Sequence, residues 1–348
     1  MNTQQPRLTW WIIRWALLAL AIPGASHSAL ADAPRLGPFE LPKPRQLTVF
    51  NDQQSFDPTE ALNGSFTTGK ACSDVPYGLW VEVDGQGDCI RYYPHALADG
   101  ENQKVLVYFG GDVMLRSAKG VRFITESYMR QSPATIATDM AEWAQKAGLP
   151  VIFMARPGIY GSSGDHNNRR QPREIALMGH ALDLIKQRHR VSSFILSGHS
   201  AGGQIVAGLL NKRDDVSSVV ITSGLVSVKQ VSDFWERRRK LPGKLLYDAS
   251  GFYDPIEEID KITTEPRPDI YIISDPEDRV VPFFSQLYYV RRLRAAGFEP
   301  HHIYAQATDR QRHLLAQHGR LAAALLAQGQ SQVDIRRAVN EMDLEQFK

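Results

Sequence analysis

The apolar stretch Phe194-Ile-Leu-Ser197 runs directly into Gly198-His199-Ser200-Ala201-Gly202-Gly203, and Gln204 to Leu210 then takes up an apolar helical pattern. A serine in Gly-x-Ser-x-Gly between a strand and a helix is a candidate nucleophile. The spacing has a steric reason: a serine on so tight a turn has strained backbone angles, and only small neighbours at 198 and 202 let strand and helix approach. The turn sets the Ser200 hydroxyl at a helix start, where N–H groups and the helix dipole favour developing negative charge. The Ala201 N–H is thus one oxyanion donor. Five-residue matches also arise as plain glycine-rich turns, and the strand–turn–helix setting is what separates the two. A serine hydroxyl is a poor nucleophile at neutral pH, so the chemistry needs a histidine base and a carboxylate that fixes the tautomer of that base.

Such a turn must be carried by a sheet. From Lys104 onward the chain shows short, almost wholly apolar runs at 105–109, 151–155, 194–197, 219–222, 270–273 and 302–305. Runs apolar on both faces belong in a covered parallel sheet. Between them lie helical periods, as in Ile175, Met178, Leu182 and Ile185, which form one stripe able to lie on that sheet. Strand and helix alternate, which predicts an α/β domain with a mostly parallel sheet covered by helices on both faces. Leu79–Val83 and Cys89–Tyr93 flank Asp84-Gly-Gln-Gly-Asp88 and are expected to form a hairpin at a sheet edge. Residues 71–330 are assigned to this domain, with 225–268 as a helical, lid-like insertion. Residues 32–70, rich in proline and polar side chains, read as an extended arm, and 331–348 as a polar helical tail.

With these features the chain resembles the α/β-hydrolase superfamily over about residues 75 to 328, whose triad runs serine, acid, histidine along the chain. The loop Ser274-Asp-Pro-Glu-Asp-Arg-Val-Val-Pro282 looks like the family's acid loop, in which an Asp stands two places before Val-Val-Pro, and this implies Asp278. Asp275 and Glu277 in the same loop read as turn-forming and solvated. Chain order leaves His301, His302, His313 and His318 as bases. His313, at the start of the last helix, stands where the family places its base. The second oxyanion donor comes in the family from the loop after an early strand, here Phe109-Gly110-Gly111-Asp112, so the Gly111 and Asp112 N–H groups are both candidates, with the Asp112 side chain a possible cap. Arg156-Pro-Gly-Ile-Tyr-Gly-Ser-Ser-Gly164 is similar to a family loop bordering the pocket, which makes Arg156 and Tyr160 candidate pocket residues. His199, inside the turn but expected to point away from Ser200, is taken as a supporting pocket residue.

Composition bounds the setting. At 348 residues, 43% hydrophobic and 22% charged, the chain can bury a large core, which excludes disorder throughout. The first 31 residues carry Arg7 and Arg14, an apolar stretch from Trp15 to Ile22 and then Ala29-Leu30-Ala31, the order of a secretory signal peptide. The stretch is shorter than the roughly 20 apolar residues of a comfortable membrane span, so no span is expected after cleavage before Asp32. The chain has 40 Lys and Arg against 38 Asp and Glu; losing Arg7 and Arg14 with the leader leaves 38 of each. A formally neutral protein has no general attraction to nucleic acid, and Arg237-Arg238-Arg239-Lys240 reads as a solvated face. The two cysteines, Cys72 and Cys89, are expected to form one structural disulfide in an oxidising compartment, periplasmic or secreted. No metal site is expected, since His301 and His302 face opposite ways on a strand, and no cofactor, since no phosphate loop or nucleotide fingerprint is present.

These features point to hydrolysis of a small-molecule carboxylic ester through an acyl-enzyme, a carboxylesterase-like activity. A serine peptidase or amidase would use the same triad. A non-catalytic exported binding protein that retains the scaffold is the reading from another class.

Overall fold

The apolar runs become strands of one eight-stranded sheet. The computed structural model describes residues 33–238 and 249–346. In chain order the strands are β1 (Gly78–Val83), β2 (Gln86–His95), β3 (Asn102–Phe109), β4 (Val151–Met154), β5 (Val191–His199), β6 (Val216–Thr222), β7 (Asp269–Ser274) and β8 (His301–Tyr304). They lie side by side as β1-β2-β4-β3-β5-β6-β7-β8. Only β2 runs against the rest, antiparallel to both β1 and β4. The edge hairpin is therefore as expected. In the centre, Leu196 of β5 stands beside Val107 of β3 and Val219 of β6.

Strand alternation feeds two cores. On β3, Val105, Val107 and Phe109 enter one core with the stripe Ile175, Met178, Leu182 and Ile185 of helix α2 (Pro172–His189), while Leu106 enters the other. The first core also holds helices α3 (Ala201–Leu210) and α5 (Phe283–Ala295). The second takes α1 (Pro133–Ala147), α6 (Ala316–Ala327) and α7 (Gln332–Gln346). Helix α4 (Val228–Glu236) lies between α3 and α5 in sequence. Helix α1 starts sharply because Pro133 follows Ser132, whose side chain forms a capping box with Thr135.

One segment differs from expectation, and two others, helical as expected, show how they are held. Residues 32–70 are not a plain extended arm. Arg35–Leu36 pairs with the short strand Arg122–Ile124, Arg45–Gln46 pairs with Ser65–Phe66, and Asp57 caps a helix at Pro58–Asn63. Buried Leu36, Phe50, Phe56 and Leu62 hold this strap in the second core. Its elements are two to six residues long, too short to show a period. In the insertion 225–268, α4 and a 3₁₀ turn at Pro255–Lys261 are tied by Asp254, which accepts the Val228 and Lys229 N–H groups at 2.9 Å each. Residues 239–248 of it, like the leader 1–31, lie outside the described residues. The polar tail is α7, which is amphipathic: Ile335 and Val339 are fully buried, and Asp343 meets His318 Nε2 at 2.7 Å.

Cys72 and Cys89 form the disulfide, with Cα atoms 5.5 Å apart, a bond that persists under oxidising conditions. Among the described residues, no helix is long and apolar enough to cross a membrane.

Candidate active site

β5 ends at His199 and α3 begins at Ala201, so Ser200 alone makes the turn, at φ 56° and ψ −119°. A non-glycine residue there is strained by about 1–3 kcal/mol, and neighbouring contacts enforce it. Ser200 N–H donates to Thr222 O at 2.9 Å, and Ser200 O accepts from Gly203 and Leu225 N–H at 2.9 and 3.0 Å. The flanking glycines are required by contact: a Cβ on Gly202 would sit 2.0 Å from Phe109 O, and one on Gly198 2.4 Å from Gly202 O. The Gly-x-Ser-x-Gly spacing thus lets β3, β5 and α3 meet with no side chain between them.

Asp278 follows the end of β7, and its side chain is fully buried. Val280 and Val281 N–H donate to Oδ1 at 2.8 and 2.9 Å, and Oδ2 lies 2.9 Å from His313 Nδ1. His313 is not yet helical: α6 begins at Ala316, and the histidine sits in the preceding loop. Asp309 shapes that loop by accepting the His313 N–H at 2.8 Å and the Leu314 N–H at 2.7 Å, while Ser223 Oγ donates to the His313 carbonyl at 2.8 Å. Asp275 does not match its expected solvated role. It is fully buried, pairs through both carboxylate oxygens with Arg312 at 2.7 and 3.0 Å, and accepts the Ala307 N–H. It thereby ties the acid loop to the histidine loop. Glu277 is exposed, as expected.

Ser200 and His313 face one cavity of about 920 Å³, with no hydrogen bond joining them in this structure. Apo nucleophile–base pairs are often loose and tighten on substrate. Tyr108, Met114, Phe123, Phe153 and Trp235 make much of the wall apolar. Tyr160 lines the cavity as expected, its phenol pushed up by burial. His199 lines it too, rather than turning away, and its Nδ1 meets Thr222 Oγ1 at 3.1 Å. Burial, with His313 nearby, pushes His199 down to about 3, so it is neutral at pH 7. Its ring centroid is 5.0 Å from that of His313.

On the other side of Ser200 runs the glycine loop. A Cβ on Gly111 would lie 3.3 Å from the Ser200 Cβ, so this backbone passes against Ser200. The next residue, Asp112, is not a helix cap. Its carboxylate accepts from Arg156 Nη1 at 3.1 Å, from Arg169 Nε at 3.2 Å and from Arg170 Nη2. Burial pushes the Asp112 carboxyl up, but Arg170, Arg169 and Arg156 outweigh it and hold it well below the usual carboxylate range. Arg156 is not a pocket residue: it is 1% exposed, lies behind the wall, and pairs with Glu174 at 2.8 Å. Arg169 and Arg170 reach the cavity in its place. Nothing in the local sequence marks Arg169 and Arg170 as partners of Asp112, because the contact joins loops about sixty residues apart. Among the described residues, no group of His, Cys, Asp and Glu could hold a metal ion.

No protein-family profile and no curated protein matches the sequence. Solved structures do match in shape. A puromycin hydrolase superposes with a TM-score of 0.50 at 16% identity, covering 74% of this chain and 40% of that one. The esterase Est1E from Butyrivibrio proteoclasticus, bound to ferulic acid, gives 0.49 at 14% identity over 77% of this chain and 99% of its own. An acylaminoacyl peptidase from Pyrococcus horikoshii gives 0.45 at 12%, covering 69% and 39%. The chain spans about two fifths of the length of the puromycin hydrolase and of the peptidase. The strand order and the likeness to the puromycin hydrolase show an α/β-hydrolase fold.

Proposed function

We propose that this protein is a serine hydrolase that cleaves carboxylic esters, with Ser200 as nucleophile, His313 as base and Asp278 as the acid that orients it. The observation that carries this reading is the 2.9 Å contact between His313 Nδ1 and Asp278 Oδ2, in a cavity that also receives a strained Ser200. With Nδ1 taken, Nε2 is the nitrogen left for the serine proton. Ser200 Oγ attacks the ester carbonyl as His313 takes that proton, and the Ala201 N–H with the Gly111 or Asp112 N–H stabilises the oxyanion. His313 returns the proton to the departing alkoxide. A water then attacks the acyl-enzyme, gives its proton to His313, and the acid leaves as Ser200 regains its hydrogen. No cofactor enters these steps.

The same reading makes the enzyme an exported one, with the leader removed before Asp32 and the protein periplasmic or secreted; the disulfide supports an oxidising destination. The test is a screen of esters of increasing chain length beside peptide amides, with phosphonate labelling of wild type and Ser200→Ala. Ser200-dependent labelling with ester turnover is expected. Equal labelling of both proteins removes Ser200, and turnover of amides alone replaces esterase with peptidase.

A further inference from the structure

Behind the acid loop, four polar side chains follow one another through the buried end of the sheet: His302 on β8, Ser274 on β7, Gln286 on α5 and Asp278. Ser274 and Gln286 are wholly inaccessible to solvent. The proton positions along this row follow from its far end. Asp278 Oδ2 and the Val281 carbonyl can only accept, so the Gln286 atom that faces both, at 3.4 and 2.9 Å, is Nε2. Its Oε1 must then accept, and Ser274 Oγ–H donates to it at 2.7 Å. Having given its proton, Ser274 accepts from His302 Nε2–H at 3.1 Å. A flipped amide would set Oε1 against two acceptors and its N–H groups against a hydroxyl that is already donating. Burial, with Arg294 and Arg336 near, pushes His302 down to about 4, so at neutral pH the row carries no charge of its own.

We propose that Gln286 is a positioning residue for the triad acid, locked in one amide orientation by Ser274 and His302. The proposal rests on the assignment of Asp278 and His313 made above. Asp278 Oδ2 faces both His313 Nδ1 and Gln286 Nε2, while Oδ1, 3.1 Å from the same Nδ1, is held by the two valine N–H groups. The carboxylate cannot turn about Cβ–Cγ without breaking this set. Gln286 Nε2 also donates to the oxygen that faces the imidazole, so deleting that donor changes how strongly the oxygen attracts a proton on His313. The other titratable groups facing the pair are His199, with its ring centroid 5.0 Å from that of His313, and Asp309, which accepts the His313 N–H. Arg312 is engaged by Asp275 and Glu277.

The experiment is the pH profile of kcat/KM for an ester, with the second-order rate of phosphonate labelling as a readout that needs no chosen substrate. Gln286→Met keeps the volume and deletes the donor. The acidic limb should move to higher pH by about half a unit, and kcat should fall on the order of tenfold with KM little changed. Ser274→Ala should shift the limb in the same direction and by less, and Ser274→Thr should retain the wild-type profile. The double variant should match Gln286→Met alone, since Ser274 acts only through the glutamine. An unmoved limb in Gln286→Met, or additive shifts, overturns the proposal. If Gln286→Met does not fold, the serine pair decides: a shift with alanine and none with threonine supports the proposal, and identical profiles overturn it. Failure of the triad assignment has its own signature, turnover and labelling that survive Ser200→Ala, and it removes both readings.

Discussion

Ser200 lies between two flanks that are held in place by opposite means. On the base side, the groups that fix Asp278 are backbone N–H groups and a neutral amide. On the glycine-loop side, Asp112 is fixed by three guanidinium groups, one of which is anchored in turn by Glu174. The difference follows from what each carboxylate is proposed to do. Asp278 has to keep a usable negative charge for an imidazolium that comes and goes, and a ring of arginines would quench it. Asp112 has no proton to answer to, so its charge can be spent wholly on holding a loop. A buried ion cluster is costly to break, because removing one member strands the others without solvent.

The largest test acts on the residue both flanks serve. Ser200→Ala should abolish ester turnover, by on the order of a millionfold, while the urea midpoint stays close to that of wild type, because alanine keeps the Cβ and with it the strained backbone. Asp278→Asn should lower kcat by about 10⁴ with the fold intact, as expected where the acid orients the base. Asp112→Leu should do the reverse and strike stability first, by about 3–5 kcal/mol in urea unfolding, because three guanidiniums lose their shared partner. A small stability loss with Asp112→Leu would erase the contrast between the flanks.

A change remote from both flanks sharpens the comparison. Reducing the Cys72–Cys89 bond, which joins positions 17 apart in the chain, should cost roughly 3 kcal/mol by the chain-entropy relation, read as a lower melting temperature in dithiothreitol. At neutral pH the smallest effect belongs to His199, which stands between the flanks and is pushed down to about 3. Its folded form resists protonation that the unfolded chain accepts near pH 6.5, so stability falls as pH drops below that value, by at most about 1.4 kcal/mol per pH unit. In His199→Gln this slope should flatten between about pH 6 and 4, as measured by urea midpoints across pH. Asp112 has the same sense in a lower window: its depressed carboxyl keeps its contribution constant down to about pH 4, and loses it only as pH falls further.

Much of this was legible in the chain because it is local. The apolar runs at 105–109, 194–197 and 219–222 are strands because every residue in them is packed, and the glycines at 198 and 202 announce a close approach within five residues. Asp278 and His313 came from resemblance, and their contact spans 35 positions. Asp275 was misread because a carboxylate beside proline in a polar loop looks solvated, and only Arg312, 37 residues on, makes it a buried brace. Arg156 was misplaced for the same reason. Its partners Asp112 and Glu174 lie 44 residues before it and 18 after it, and they draw it behind the wall. Long polar side chains choose partners across the fold, and no period in the sequence records that choice.

The strap carries one more implication, for the order in which the molecule can be completed. Gly37 accepts from Arg122, 85 positions later, and the Phe56 ring packs at 5.4 Å against Tyr160 in the cavity wall. A polypeptide that emerges amino end first must therefore present Leu36, Phe50 and Phe56 bare until their receiving surfaces have been made. The residues synthesised early are among the last to settle, and the cavity lacks its backing until they do.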